Sequence, residues 1–260
     1  MKLTWDFVCG LPHLDVHTLS EDWVLANGLV AHWKIMADSV GKKPSEWIDS
    51  QGDRMYGAVI WLQTSFDLVN VVGEDDHVIA ETEITGIRKP HALSVTRFLV
   101  DGQERGRLVL LTSFIKRKVR GSNKKFAKVK DLWSAEDFNG EEIDALLDAH
   151  HAMKDVADNG TLVRTYEINR IQDFNTADFM YFKNFVRIAK AGEWCHDRGG
   201  QTQLAAKRDC FYYGNVEDGD IIETRVGSDA EGRLTAHYNA DGKRIFVCRS
   251  QMQPVQIAVR

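Results

Sequence analysis

Between residues 19 and 37, apolar side chains recur at Leu19, Trp23, Ala26, Val30, Trp33 and Ala37, with a second stripe through Leu25, Leu29 and Met36. That spacing predicts a helix that is apolar around most of its girth, and such a helix is buried within its domain. Thr18-Leu19-Ser20-Glu21 reads as its capping box, with Thr18 at the cap and Glu21 reaching back. Beyond Pro44 the period changes. Segments 55–67, 78–87, 93–100 and 107–116 are rich in Val, Ile, Thr and Phe, which predicts strands. Turn signals separate them at Gly73-Glu74-Asp75-Asp76, Lys89-Pro90 and Asp101-Gly102. Short turns between consecutive strands predict an antiparallel meander.

The same order returns later in the chain. A strand over 162–171 precedes the polar turn Asp173-Phe174-Asn175, and a helix is predicted over 176–195 with Phe179, Phe182, Val186 and Ala189 at helical spacing. Strands over 208–213, 220–228, 234–239 and 244–250 follow. A long apolar helix followed by an antiparallel sheet, occurring twice, is the layout of an α+β double hot-dog: two central helices, each wrapped by its own sheet. The expected organisation is a first hot-dog over 1–120, a basic linker and connector helix over 121–160, and a second hot-dog over 161–260. The connector helix is read from 134–157, with Ile143, Leu146, Leu147 and Met153 on one face.

Composition narrows the chemistry. The 260 residues are 43% hydrophobic with a net charge of −5, which suits a globular protein and gives no general case for nucleic acid or membrane surfaces as partners. Cys9, Cys195, Cys210 and Cys248 are scattered with no C-x-x-C pair, so neither a zinc site nor a redox motif is indicated and the thiols are expected reduced, in a cytoplasmic protein. The N-terminal residues have no signal-peptide pattern, and no apolar run is long enough to span a bilayer. The basic run from Lys116-Arg117-Lys118-Val119-Arg120 to Lys130 reads as a solvated linker. The sharper alternative is a dock for an acidic carrier protein or the phosphates of coenzyme A.

Several polar residues sit where chemistry is possible. Asp173 could be a base or nucleophile and Asn175 an oxyanion donor, although helix capping explains both equally well. His13, Asp15 and His17 alternate ahead of the first helix, close to N-terminal amides that would stabilise an anion. Half-exposed loop polars explain them almost as well. Tyr56 stands beside Gly57 and Ala58, which leave space. It is either an amphipathic core tyrosine or a phenol that donates to a carbonyl oxygen. No Gly-rich phosphate loop, serine elbow or H-E-x-x-H occurs, and neither His13 nor His17 carries the His-x-x-x-Gly of a polyketide dehydratase.

Leu11-Pro12-His13-Leu14-Asp15-Val16-His17, Leu19-Ser20-Glu21-Asp22-Trp23-Val24-Leu25 and His32-Trp33 resemble the N-terminal block of the leinamycin-type acyltransferase/decarboxylase family, double hot-dog proteins of polyketide pathways. Arg54-Met55-Tyr56-Gly57-Ala58-Val59 looks like that family's active-site tyrosine segment. Asp173-Phe174-Asn175 with Tyr181-Phe182 resembles its second signature and the Asp-bearing loop of hot-dog thioesterases. The resemblance implies decarboxylation of a malonyl- or methylmalonyl-type coenzyme A thioester and transfer of the acyl group to an acyl carrier protein. It assigns Tyr56, His13 and Asp173 catalytic parts and Asp15, His17, Asn175 and Tyr181 substrate contacts, with no metal or organic cofactor and a homodimer as a possible assembly. Thr176-Ala177-Asp178 stands where Gly-rich residues are expected, so the chemistry is expected chiefly around Tyr56 and the loop from His13 to His17. The alternatives are a thioesterase or dehydratase of the same fold, and a non-catalytic thioester-binding scaffold.

Overall fold

The structure, a computed structural model, describes residues 1–129, 136–157 and 159–256. In the first half, strand β1 (Lys2–Val8) precedes helix α1 (Glu21–Val40), followed by β2 (Tyr56–Phe66), β3 (His77–Arg88), β4 (His91–Val100), β5 (Gln103–Arg117) and the short β6 (Phe126–Lys128). Helix α2 (Gly140–Lys154) leads to the second half: β7 (Thr161–Glu167), a helical turn α3 (Arg170–Asp173), helix α4 (Phe182–His196), β8 (Gln203–Tyr212), β9 (Ile221–Asp229), β10 (Gly232–Tyr238) and β11 (Arg244–Pro254). The strands form one sheet in the order β1-β3-β4-β5-β2-β8-β11-β10-β9-β7, with β6 added on β5. Outward from the central β2–β8 pair, the two halves run through the same sequence of strands. The fold is a double hot-dog.

The halves join through an antiparallel register that sets Trp61 opposite Phe211, Leu62 opposite Cys210 and Thr64 opposite Arg208. Leu62, Leu108, Leu110 and Cys210 face α1 and α4 in one continuous core with Val24, Leu25, Phe185 and Val186. Alternate residues Trp61, Leu93, Leu111, Phe211 and Val247 face the other way. There α2 covers them with Ile143 and Met153, as its apolar stripe predicts. Arg244 donates to the carbonyls of Met153, Lys154 and Val156 at the end of α2, satisfying acceptors that a helix terminus leaves open.

Four expectations need correction. Helix α1 is capped by Ser20, whose Oγ accepts from Trp23 N at 3.4 Å; Thr18 instead accepts from Val72 N at 3.2 Å. Only β3-β4-β5 and β9-β10-β11 are meanders: β2 and β8 pair with the last strand of their own half and with each other. Residues 67–76 and 213–220 are long enough for that crossing. β1 was not among the predicted strands, although its inward Leu3, Trp5 and Phe7 alternate with Lys2, Thr4 and Asp6 as a half-buried edge strand against β3 does. Finally, α4 begins at Phe182 rather than 176. Asn175 Oδ1 accepts from Ala177 N at 3.0 Å and Phe179 N at 3.2 Å, and Asp178 adopts a positive φ of 61°. This side-chain turn outcompetes the helix.

Asp101-Gly102 forms the expected hairpin, both residues having positive φ (51° and 72°) as such a turn requires. Of the expected connector, residues 134 and 135 lie outside the described residues, and the helix itself starts at Gly140.

Candidate active site

Tyr56 opens β2, and the residue after it explains the space beside it. Trp33 of α1 lies directly over Gly57: a Cβ built there would stand 2.2 Å from the indole ring. The absence of a side chain lets α1 approach the start of β2. Beyond Trp33 a cavity of about 430 Å3 opens between the halves. Leu29 and Trp33 come from the first half, and Phe179, Phe182, Phe185 and Tyr212 from the second. Against this apolar wall stand the polar groups of Tyr56, Asn175, Tyr181 and Asn215.

The loop 174–181 is built to present those groups. Asn175 and Asn215 each spend their carboxamide oxygen on backbone amides, Ala177 and Phe179 for the former, Met180 and Val216 for the latter. Their Nδ2 donors have no hydrogen bond within the described protein. Burial pushes the Tyr181 phenol up from its usual pKa, so it remains neutral and able to donate. No side chain caps α4, leaving the positive end of its dipole beside Phe182 at the cavity wall.

Arg117 ties the two sides together. Its Nη1 donates to Tyr56 Oη at 3.3 Å, while Nη2 donates to Ala177 O at 2.7 Å and Asp178 O at 2.9 Å. Its guanidinium lies 3.9 Å over the Phe179 ring, a cation–π distance. The strap 118–126 that follows crosses onto the second half, where buried Asn123 donates to Asp178 O at 2.6 Å and its amide to Glu217 Oε1 at 2.7 Å. The basic run is therefore not a solvated linker at its start. Lys116, on the opposite face of β5, is held by Asp49, Gln51 and Asp53 at 2.7–2.8 Å. The end of the run at Lys130 lies outside the described residues.

Of the residues expected from the sequence, Tyr56, Asn175 and Tyr181 meet at this cavity; the others lie elsewhere. Asp173 is fully buried and does not line it. Its carboxylate accepts from Arg187 Nη2 at 2.7 Å, Tyr166 Oη at 3.0 Å and Asn169 N at 3.0 Å, and its carbonyl accepts from Tyr181 N and Asn184 Nδ2. Asp173 thus braces the loop from behind. His13 Nδ1 faces Gly10 N at 2.9 Å, and its ring stacks on Phe7. His17 Nε2 pairs with Leu68 O, and Asp15 Oδ1 accepts from the amides of His17 and Thr18.

Asp15 borders a second cavity of about 420 Å3, the pseudo-two-fold mate of the first. Where the first cavity meets the start of α4 and the end of β8, the second meets the start of α1 and the end of β2. Its lining is as apolar as that of the first but includes charged side chains, which the first has none of among the described residues. Arg208, only 2% exposed, donates to both oxygens of buried Glu193 at 2.6 and 2.9 Å and to Ser250 Oγ at 2.8 Å. Its Nε lies 3.3 Å from Glu21, which accepts from Thr64. Burial alone would raise the Glu193 carboxyl, but the Arg208 guanidinium outweighs it and holds the group below the usual range.

Sequence reading passed over Arg117, Asn123 and Asn215. The signal for Arg117 was present: Ile115 and Arg117 share a strand face, Ile115 lines the cavity and is registered against Tyr56. Among the described residues no group of three or more His, Cys, Asp or Glu could hold a metal ion, and no helix is long and apolar enough to cross a membrane.

No protein-family model matches the chain and no curated protein sequence matches it. Solved structures do. An acyl-ACP thioesterase from Bacteroides thetaiotaomicron superposes with a TM-score of 0.66 at 12% identity over 97% of this chain and 98% of that one. A 12:0-ACP thioesterase from Umbellularia californica gives 0.70 at 12% identity over 98% of both. The tesB protein of Mycobacterium avium subs paratuberculosis gives 0.52 at 10% identity over 97% and 94%. At these identities the likeness is one of fold. It supports the double hot-dog architecture and lends nothing to the finer leinamycin-type assignment.

Proposed function

We propose that this protein is an enzyme acting on acyl thioesters of coenzyme A or an acyl carrier protein, bound in the cavity between its halves with the carbonyl at Tyr56. The convergence of Tyr56, Asn175 and Tyr181 from opposite halves onto one largely apolar cavity carries this reading. Arg117 already donates to the Tyr56 oxygen, so the phenol proton is free to point at a thioester oxygen. Neutral donors in a dry pocket stabilise charge as it develops on that oxygen.

Two outcomes are compatible with this first step. Hydrolysis is supported by the fold shared with acyl-ACP thioesterases: water adds to the carbonyl carbon, the C–S bond breaks, and the thiolate takes a proton. A second reading is supported by the lining itself, which includes no Asp, Glu, His or Cys among the described residues. Hydrolysis needs a base to activate water, whereas decarboxylation needs only a sink for electrons. The electrons of the broken C–C bond enter the thioester carbonyl as an enolate, carbon dioxide leaves, and the enolate carbon is protonated. The acyl group then exchanges the coenzyme A sulfur for a carrier-protein thiol.

Incubation with methylmalonyl-coenzyme A and a series of simple acyl-coenzyme A esters, with and without holo carrier protein, separates them. Free thiol and free acid without carrier mark hydrolysis; carbon dioxide with an acyl mass gain on the carrier marks transfer. Tyr56→Phe is expected to lower kcat on the order of 10²-fold with unchanged melting, as loss of one oxyanion donor does. Absence of turnover with every thioester, or undiminished turnover in Tyr56→Phe, overturns the proposal.

A further inference from the structure

We infer that Arg117 is the positioning residue of this site: it orients the phenol of Tyr56 and locks the loop that carries Asn175, so that the two halves act as one active site. The inference rests on the reading of Tyr56 given above.

Tyr56 belongs to the first half and the loop 174–181 to the second. Side-chain hydrogen bonds from Arg117 reach both. Four of its five N–H donors are engaged: Nε and Nη2 donate to Asn123 Oδ1 at 3.2 and 2.8 Å, Nη2 also, by sharing its two hydrogens, to the carbonyls of Ala177 and Asp178, and Nη1 to Tyr56 Oη. A guanidinium has only donors. It therefore occupies a lone pair of the phenol oxygen and never its proton, which makes Tyr56 a donor towards the cavity. The planar fork also fixes distances that a point charge would leave loose. The Phe179 ring beneath it, which also meets Tyr56 edge-on at 5.0 Å, sets the plane of the guanidinium.

Arg117→Lys retains the charge and cannot reproduce the fork. Misplacement of a reacting group by about 1 Å costs on the order of 10²-fold in rate. The variant should therefore lose kcat on that scale, with KM changed far less, and amide exchange across 174–182 should accelerate while β9 is unchanged. In a Tyr56→Phe background the same substitution should cost clearly less than in the wild type, because the phenol it orients is gone and only the loosened loop still lowers kcat.

Accelerated loop exchange with a smaller loss in Tyr56→Phe than in the wild type supports the inference. An equal further loss in Tyr56→Phe overturns it, since Arg117 would then act without the phenol. Unchanged loop exchange in a folded Arg117→Lys protein overturns the lock. Should the wild type turn over no thioester, the functional proposal falls and the orienting part of the inference falls with it, while the exchange measurement alone still decides whether Arg117 locks the loop.

Discussion

At the scale of single residues, two buried histidines give the protein a defined acid limit. His32 lies between Ser94 Oγ at 2.8 Å and Thr112 Oγ1 at 3.0 Å, fully buried, and desolvation lowers its pKa to about 3. His237 pairs with Thr224 and Phe185 O, and burial lowers it to about 4. Both are neutral when folded and take up a proton near pH 6.5 when unfolded. Their contribution to stability is thus present above pH 6.5 and lost as pH falls towards 3–4. Close to two extra protons in the unfolded state near pH 5 give a slope of about 2.5 kcal/mol per pH unit there, flattening towards pH 6 and pH 4. Urea unfolding over that range should show it, and His32→Gln should roughly halve it; an unchanged slope in the variant would refute the assignment.

At the scale of elements, the loop 174–181 is where local and long-range forces meet. The polar stretch Asp173-Phe174-Asn175 is recognisable in sequence as the approach to a helix, and Asn175 and Tyr181 do reach the cavity. What Asp173 does depends on Tyr166 and Arg187, brought to it by β7 and α4, and no local pattern announces them. Asp173→Asn should remove the ion pair while keeping the shape, destabilising the fold by about 2 kcal/mol in chemical denaturation, since one partner is fully buried and the other partly exposed. Turnover per folded molecule should stay near wild type. A fall beyond 10²-fold at unchanged stability would instead make Asp173 a catalytic base.

At the scale of the whole molecule, the repeated topology places two related cavities that differ in whether charged side chains line them. The first is apolar with neutral donors. The second is crossed by Glu21, Arg208 and Glu193, a network whose charges satisfy one another. There the Arg208 guanidinium is committed to Glu193 and Ser250 rather than to an incoming carbonyl. Calorimetric titration with a non-hydrolysable acyl-coenzyme A analogue should therefore give one site per chain, weakened by crowding the Tyr56 cavity with Val30→Trp at an exposed lining position. Two equivalent sites, one of them lost in Arg208→Met, would contradict this.

The amino-acid sequence by itself determined the type of nearly every element, the twofold repetition of helix and sheet, and the double hot-dog that follows from it. Those are consequences of periodicity, which is written in neighbouring residues. It also held Tyr56, Asn175 and Tyr181 as candidates. The tertiary structure decided which strands β2 and β8 pair with, which of two related cavities is lined without charged side chains, and that Asp173 braces while Arg117 joins. Arg117 and its acceptor at Ala177 are 60 residues apart, and Asn123 and Glu217 are 94 apart. A charge in a sequence shows what it can bond to; only the folded sheet brings a particular partner within reach.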